Sequence, residues 1–201
     1  MRQVWIALLA AGLTASTASA QIDIDFTSET TGPIHGRTIQ GVTFEYFVGG
    51  SSSTDAVVGG GPGCMTFVCG PHLEGGSAGE LLMTFLSPVS SLSFGLAMNT
   101  LVPATVFVEL FDAGLSSIGI FDMMLANEGF GTVEGLFVHD GAAIGRASVS
   151  FENRDLRFAL DNIRSPADRT VTPEPMTMLL VGSGLAGIAG AARRRRASLE
   201  G

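Results

Sequence analysis

Between residues 21 and 168 the chain consists of short runs in which apolar and polar residues alternate, each cut off by turn-forming residues. Ile22-Asp-Ile-Asp-Phe26 alternates strictly, and Val42-Thr-Phe-Glu-Tyr-Phe47 follows. Leu81 to Leu86, Leu92 to Leu96, Thr105 to Phe111 and Ile118 to Met123 come next, then Val133 to His139, Ile144 to Phe151 and Leu156 to Asp161. A period of two puts alternate side chains on opposite faces of a strand, whereas a buried helix needs a period of 3.6. No useful window in this stretch has the longer period. Asp112-Ala-Gly114, between two of the runs, has the composition of a hairpin loop. Strands this short, with turns this frequent, pack as two layers, and eight or nine of them favour a jelly roll. The expected fold class is therefore all-β: a jelly-roll-type β-sandwich of about eight or nine strands.

Composition supports that reading and narrows the partners. The chain has 27 glycines and all 11 of its positive residues are Arg. Residues 21–170 hold six Arg against 17 acids, a net charge of −11. So acidic a domain repels nucleic acid phosphates and anionic lipid headgroups, which leaves cations, neutral polymers and basic proteins as partners. Residues 49–79 stand apart, with Gly49-Gly-Ser-Ser-Ser, Gly59-Gly-Gly-Pro-Gly63 and Gly75-Gly-Ser. They read as a long flexible excursion, expected to be disordered.

The two ends differ from the middle. Arg2, the apolar run Val4 to Leu13 and the small residues Ala18-Ser19-Ala20 are the three parts of a secretory signal peptide, with cleavage before Gln21. The apolar run is too short to span a bilayer about 30 Å thick. At the other end come Pro173-Glu174-Pro175, then 17 uncharged residues from Met176 to Ala192, then Arg193, Arg194, Arg195 and Arg196. An apolar span of that length can just cross a membrane as a helix, and the arginines that follow stay cytoplasmic. The expected organisation is a signal helix over 1–20, an extracytoplasmic sandwich over 21–168, a linker over 169–175, and a single transmembrane helix with its Arg cluster over 176–197.

A Pro-Glu-Pro tripeptide, a short Gly/Leu/Ala-rich span and a terminal Arg cluster, in that order, resemble the PEP-CTERM sorting signal. The resemblance covers about residues 172–197. It implies a Gram-negative, exopolysaccharide-producing bacterium whose exosortase processes the tail near Pro173, Glu174 and Pro175, after signal peptidase has cut the N-terminus. The protein is then anchored in the membrane only transiently, before reaching the cell surface or extracellular matrix. Gly182-Ser-Gly184-Leu-Ala-Gly187 in the same span matches a dinucleotide-binding pattern literally. It lacks the strand–helix context and the acidic residue that pattern needs, so a nucleotide site is excluded.

A second resemblance concerns the domain. Phe85-Leu-Ser-Pro-Val-Ser-Ser-Leu-Ser-Phe94, Val106 to Gly114 and Phe158-Ala-Leu-Asp-Asn-Ile163 are similar, as a pattern of strands and turns, to galactose-binding-like β-sandwiches of exported bacterial proteins. Many such sandwiches are carbohydrate-binding modules. In them the first and last strands lie side by side, which would bring Asp25 and Glu29 toward Asp161 as oxygen ligands for a structural Ca²⁺. The competing reading is three solvated carboxylates.

The remaining reactive side chains carry no catalytic pattern. Cys64 and Cys69 are the only cysteines, and in an exported domain they are expected to form a disulfide. A zinc site with His72 would lack a fourth ligand. His35, His72 and His139 sit beside no nucleophile elbow and in no His-Glu-x-x-His motif. Asp23 with Asp25, and Glu109 with Asp112, are pairs of acids whose simplest role is a solvated strand face. Trp5 departs with the signal peptide, and most of the 13 Phe are expected in the core, leaving Tyr46, Phe67 and the loop residues around it as the stacking platform for a sugar. The sequence thus points to a non-catalytic, exosortase-sorted surface or matrix protein associated with exopolysaccharide; the alternative is a calcium-stabilised carbohydrate-binding module, and a glycoside hydrolase or lyase fits less well.

Overall fold

Every run that alternates in the sequence becomes a strand that buries one face. The computed structural model describes residues 21–60, 64–129 and 131–166. The signal segment 1–20, the linker 169–175, and the apolar span with its Arg cluster (176–197) lie outside the described residues. The strands are β1 (Ile22–Ile24), β2 (Gly32–Pro33), β3 (Arg37–Ile39), β4 (Val42–Val48), β5 (Ser51–Ser52) and β6 (Val57–Gly60). They continue with β7 (Pro71–Gly76), β8 (Gly79–Met98), β9 (Ala104–Phe111), β10 (Ser117–Gly129), β11 (Thr132–Phe151) and β12 (Arg157–Ser165).

Two long strands, β8 and β11, run through both layers. The first half of β8 pairs with β4 and with the second half of β11, which in turn pairs with β9; β9 pairs with β10, and β3 pairs with β4. This gives a first layer in the order β3-β4-β8-β11-β9-β10. Beyond register shifts near Ile144 on β11 and between Asp161 and Arg164 on β12, the second half of β8 lies between the first half of β11 and β12. The second layer continues from β12 through β7 and β6 to β2, with β1 on the free end of β12. All pairings are antiparallel. Val42, Phe44 and Tyr46 of β4, Leu81 and Met83 of β8, and Val106, Val108 and Leu110 of β9 point inward from the first layer. They join Phe94, Leu96, Leu73, Phe158 and Leu160 of the second layer in one continuous core. The all-β sandwich expected from the alternation is what forms.

The strand count differs for two reasons. Leu81–Leu86 and Leu92–Leu96 fuse into β8, and Val133–His139 and Ile144–Phe151 fuse into β11. Conversely, the described residues of the Gly-rich excursion are ordered: they contribute β5, β6 and β7 and bury Ala56, Val58 and Leu73. Its glycines serve geometry. Gly49 and Gly50, both at positive φ (60° and 79°), make the two-residue turn that pairs Val48 with Ser51, as a hairpin of the strand twist requires. At Gly79 a Cβ would fall inside the Tyr46 ring, so the residue is glycine for packing.

Candidate functional site

The outer faces of the two layers have different fates. Over the second layer lies the loop closed by the Cys64–Cys69 disulfide. Val68 is fully buried there against Ala97 and Ala159, with Met65 beside them. Gly95 has no side chain because the Phe67 carbonyl occupies that space. Two buried carboxylates fasten the loop. Glu134 on β11, 2% exposed, accepts the Thr66 amide at 2.7 Å and the Phe67 amide at 3.0 Å. Asp161 on β12, 1% exposed, accepts the Cys69 amide at 3.1 Å, and Asn162 Nδ2 donates to the Phe67 carbonyl at 3.0 Å. Burial pushes the Asp161 carboxyl above its usual range, partly offset by the Cys69 and Asn162 amides and by His72; Asp25 pushes in the same direction as burial. His72 is also fully buried, its Nδ1 on the Gly70 carbonyl at 2.9 Å. The disulfide is therefore formed as expected, and a zinc site built from the same cysteines is excluded.

The expected calcium ligands are not gathered round one point. β1 does pair with β12, with Ile24 opposite Ile163, so the chain ends do meet. Asp25, however, is exposed and accepts both the amide (3.1 Å) and the hydroxyl (2.8 Å) of Thr27, which hold its carboxyl below the usual range. Glu29 is paired with Arg37 at 2.8 Å. Asp161 faces the disulfide loop. Among the described residues no group of three or more His, Cys, Asp or Glu is placed to hold a metal ion. The acid pairs are likewise engaged singly. Asp23 pairs with Arg164 at 3.1 Å, Glu109 accepts from Ser117 at 2.7 Å, and Asp112 caps its hairpin turn through the Gly114 and Ser116 amides at 2.8 and 2.9 Å.

Tyr46 is not a platform. It is fully buried, its hydroxyl donates to the Gly76 carbonyl, and its ring packs 6.1 Å from that of Phe158. Burial raises the phenol above its usual range. Phe67 is half-buried in the docked loop.

The outer face of the first layer carries no such cover among the described residues. Its side chains fall into rows set by register. Thr43, Thr84, Arg146, Phe111 and Ser117 follow one another across β4, β8, β11, β9 and β10. Glu45, Leu82, Ser148, Glu109 and Ile120 form the next row. In the third, Phe47 faces Glu80, and Ser150 faces Phe107, which faces Asp122. Phe47, Phe107 and Phe111 are half-buried, each on a strand whose opposite face fills the core. Polar groups stand between them: Arg146 Nε donates to Thr84 Oγ1 at 3.0 Å, and Ser148 donates to Glu80. At the Phe47 end the face opens into a cavity of about 360 Å³ lined by Phe47, Gly50, Ala78, Glu80, Ser150 and Arg154. A neighbouring cavity of about 480 Å³ lies between the loops 100–105 and 152–156, and none of its lining residues is aromatic.

Half-exposed aromatic rings offer flat apolar faces, while carboxylates, hydroxyls and a guanidinium between them accept and donate hydrogen bonds. This combination suits a ligand that is apolar on its ring faces and polar round its rim. The sequence reading misses it because it takes the phenylalanines of the strands as core. The signal was present in strand parity: Val106, Val108 and Leu110 point inward, so Phe107 and Phe111 share the opposite face with Glu109.

No protein-family model matches the chain, and no curated protein matches it. Among solved structures it is similar to a family 29 carbohydrate-binding module, at 10% identity over 74% of this chain and 92% of that one, TM-score 0.40. The K1 cleaved adhesin domain of Lys-gingipain from Porphyromonas gingivalis W83 is similar at 11% identity, over 75% and 99% of the two chains, TM-score 0.49. An α-L-arabinofuranosidase (MgGH51) is similar at 9% identity, with 72% of this chain covering 26% of that one, TM-score 0.46. At these identities and TM-scores the likeness assigns no ligand.

Proposed function

We propose that this chain is a non-catalytic glycan-binding protein of the bacterial exterior, and that it binds through the outer face of the β3-β4-β8-β11-β9-β10 layer. The observation that carries the reading is the placement of Phe47, Phe107 and Phe111, half-exposed among Glu45, Glu80, Glu109, Arg146 and Ser150, on the layer that the disulfide loop leaves uncovered. Sugar rings present C–H faces to aromatic rings and hydroxyls to carboxylates and guanidinium groups, so one face serves both. The surplus of acids on that face favours uncharged glycans over uronate-rich ones. Export by a signal peptide and sorting by a PEP-CTERM tail complete the reading and would bring the domain to its polymer, the exopolysaccharide of the producing cell. The reading invokes no catalytic step: Asp23, Asp25 and Asp112 are engaged by Arg164, Thr27 and a hairpin turn, and Glu109, on the face itself, accepts from Ser117.

Cosedimentation with the producing organism's exopolysaccharide tests the reading. Saturable binding that persists in chelator supports it. Absence of binding to that polymer and to a panel of neutral polysaccharides overturns it.

A further inference from the structure

The 360 Å³ cavity at the Phe47 end of the face is of a size that encloses a small ligand. It lies at the end of the face, just past the last residues of β4 and β7. The Gly49–Gly50 hairpin turn stands on one flank, and the Ser77–Ala78 turn and Arg154 stand on the others. The walls are fixed in advance. Ser77 donates from its amide and its hydroxyl to the Leu156 carbonyl, at 2.8 and 2.9 Å, and accepts the Leu156 amide at 2.8 Å. The Tyr46 hydroxyl fastens Gly76 just before that turn. Below, the Phe151 ring is stacked 4.8 Å from Phe158.

The polar groups at the rim are mixed in kind. Glu80 keeps one carboxylate oxygen beyond the one that Ser148 occupies. Arg154 is exposed and belongs to none of the ion pairs among the described residues, which are Arg37–Glu29, Arg157–Asp55 and Arg164–Asp23. Ser150 can both donate and accept. A planar guanidinium and a carboxylate on one rim match adjacent hydroxyls, and the Phe47 ring offers an apolar side.

We infer that this cavity is a terminal subsite, holding the last hexopyranose unit of a neutral glycan whose preceding units lie along the Phe107 row. The inference rests on the glycan-binding reading of the face and adds that the end of the chain, rather than its middle, is what is recognised. Length dependence then has a characteristic form. Short oligosaccharides reach nearly full affinity, because the terminal unit supplies most of it.

Isothermal titration of the purified protein with β-1,4-linked manno- and gluco-oligosaccharides of two to six units tests this, alongside a polysaccharide that binds. The expected result is one sugar series whose affinity changes little beyond three units, and a loss of about tenfold or more in Arg154→Ala and in Glu80→Gln, about 1.4 kcal/mol. Both positions are on the surface, so thermal midpoints should stay at the wild-type value. Affinity that climbs steadily to six units, or Arg154→Ala and Glu80→Gln binding as wild type does, overturns the terminal subsite while leaving the face reading intact. Failure of polymer and oligosaccharides alike overturns the face reading, and this inference with it.

Discussion

Asp161 and Cys69 stand 92 residues apart in the chain, and the Cys69 amide donates to Asp161 Oδ2 at 3.1 Å. With Glu134, which takes the Thr66 and Phe67 amides, this contact seats the disulfide loop on one layer of the sandwich and, among the described residues, leaves the other layer open. The division between a covered and an uncovered face is what locates the candidate site.

Glu134→Ala should destabilise the protein by about 1–3 kcal/mol, because it leaves two amides without an acceptor beneath the loop. Urea unfolding measures the loss, and hydrogen exchange should show protection falling at Thr66 and Phe67 first. If binding takes place on the opposite layer, glycan affinity per folded molecule should not change.

Gly95→Ala tests the same docking from below. A Cβ there overlaps the Phe67 carbonyl, which is held by Asn162, so either the loop lifts or β8 shifts. A cost of about 1–3 kcal/mol is expected from overpacking, with faster exchange across residues 64–69. A thermal midpoint equal to the wild type would show that the loop does not sit as described.

Reducing the disulfide should cost about 2 kcal/mol, the chain-entropy figure for closing so short a loop. Cys64 and Cys69 are both exposed, so a dithiol reaches them without unfolding the domain. Comparing urea midpoints of the oxidised and reduced protein measures the cost. Thiol labelling of the untreated protein should find neither cysteine free.

Asp161 gives the pH dependence a definite sign. Burial raises its folded-state pKa, so the folded protein holds that proton more tightly than the unfolded chain does. Its contribution is level below the unfolded value of about 4 and turns against folding as pH rises from there through the raised folded value. Asp25 runs the other way. Its carboxyl is held low by Thr27, so its small stabilisation is present above pH 4 and is lost as pH falls through the folded value. Asp161→Asn should therefore remove a decline in stability above pH 4, seen in urea midpoints taken from pH 4 to 8, while acid loss below pH 4 persists.

Much of the fold was legible because alternation is local. Val106 to Phe111 declares a strand without knowledge of its neighbours, and so does Val42 to Phe47. The fusion of neighbouring runs into β8 and β11 was not legible, because Pro88 and Gly141 read as breaks and only pairing across the layers carries the strand past them. The excursion 49–79 misled for a related reason. A glycine that lets Tyr46 pack at Gly79 looks, in sequence, the same as one in a flexible linker. The site was partly legible: Glu109 marks its own side of β9 as outward, and Phe107 and Phe111 follow from parity. Tyr46 is chosen as the one aromatic of the domain that is not Phe, but its parity with Val42 and Phe44 turns it inward, where the Gly76 carbonyl accepts its hydroxyl. The opposition of Glu134 and Asp161 to the disulfide loop depends on contacts across 67 to 92 residues, which no local pattern encodes.

Affinity electrophoresis of the wild type beside Phe107→Ala and Phe111→Ala, in gels containing neutral polysaccharides or the producing cell's own exopolysaccharide, tests the central claim most directly. The account predicts that the wild type is retarded by at least one of these polymers, and that each variant migrates nearly as it does in a gel without polymer while keeping a cooperative thermal transition, its midpoint lowered by the loss of a half-buried ring. Retardation of both variants equal to that of the wild type, or no retardation of the wild type by any of these polymers, would contradict it.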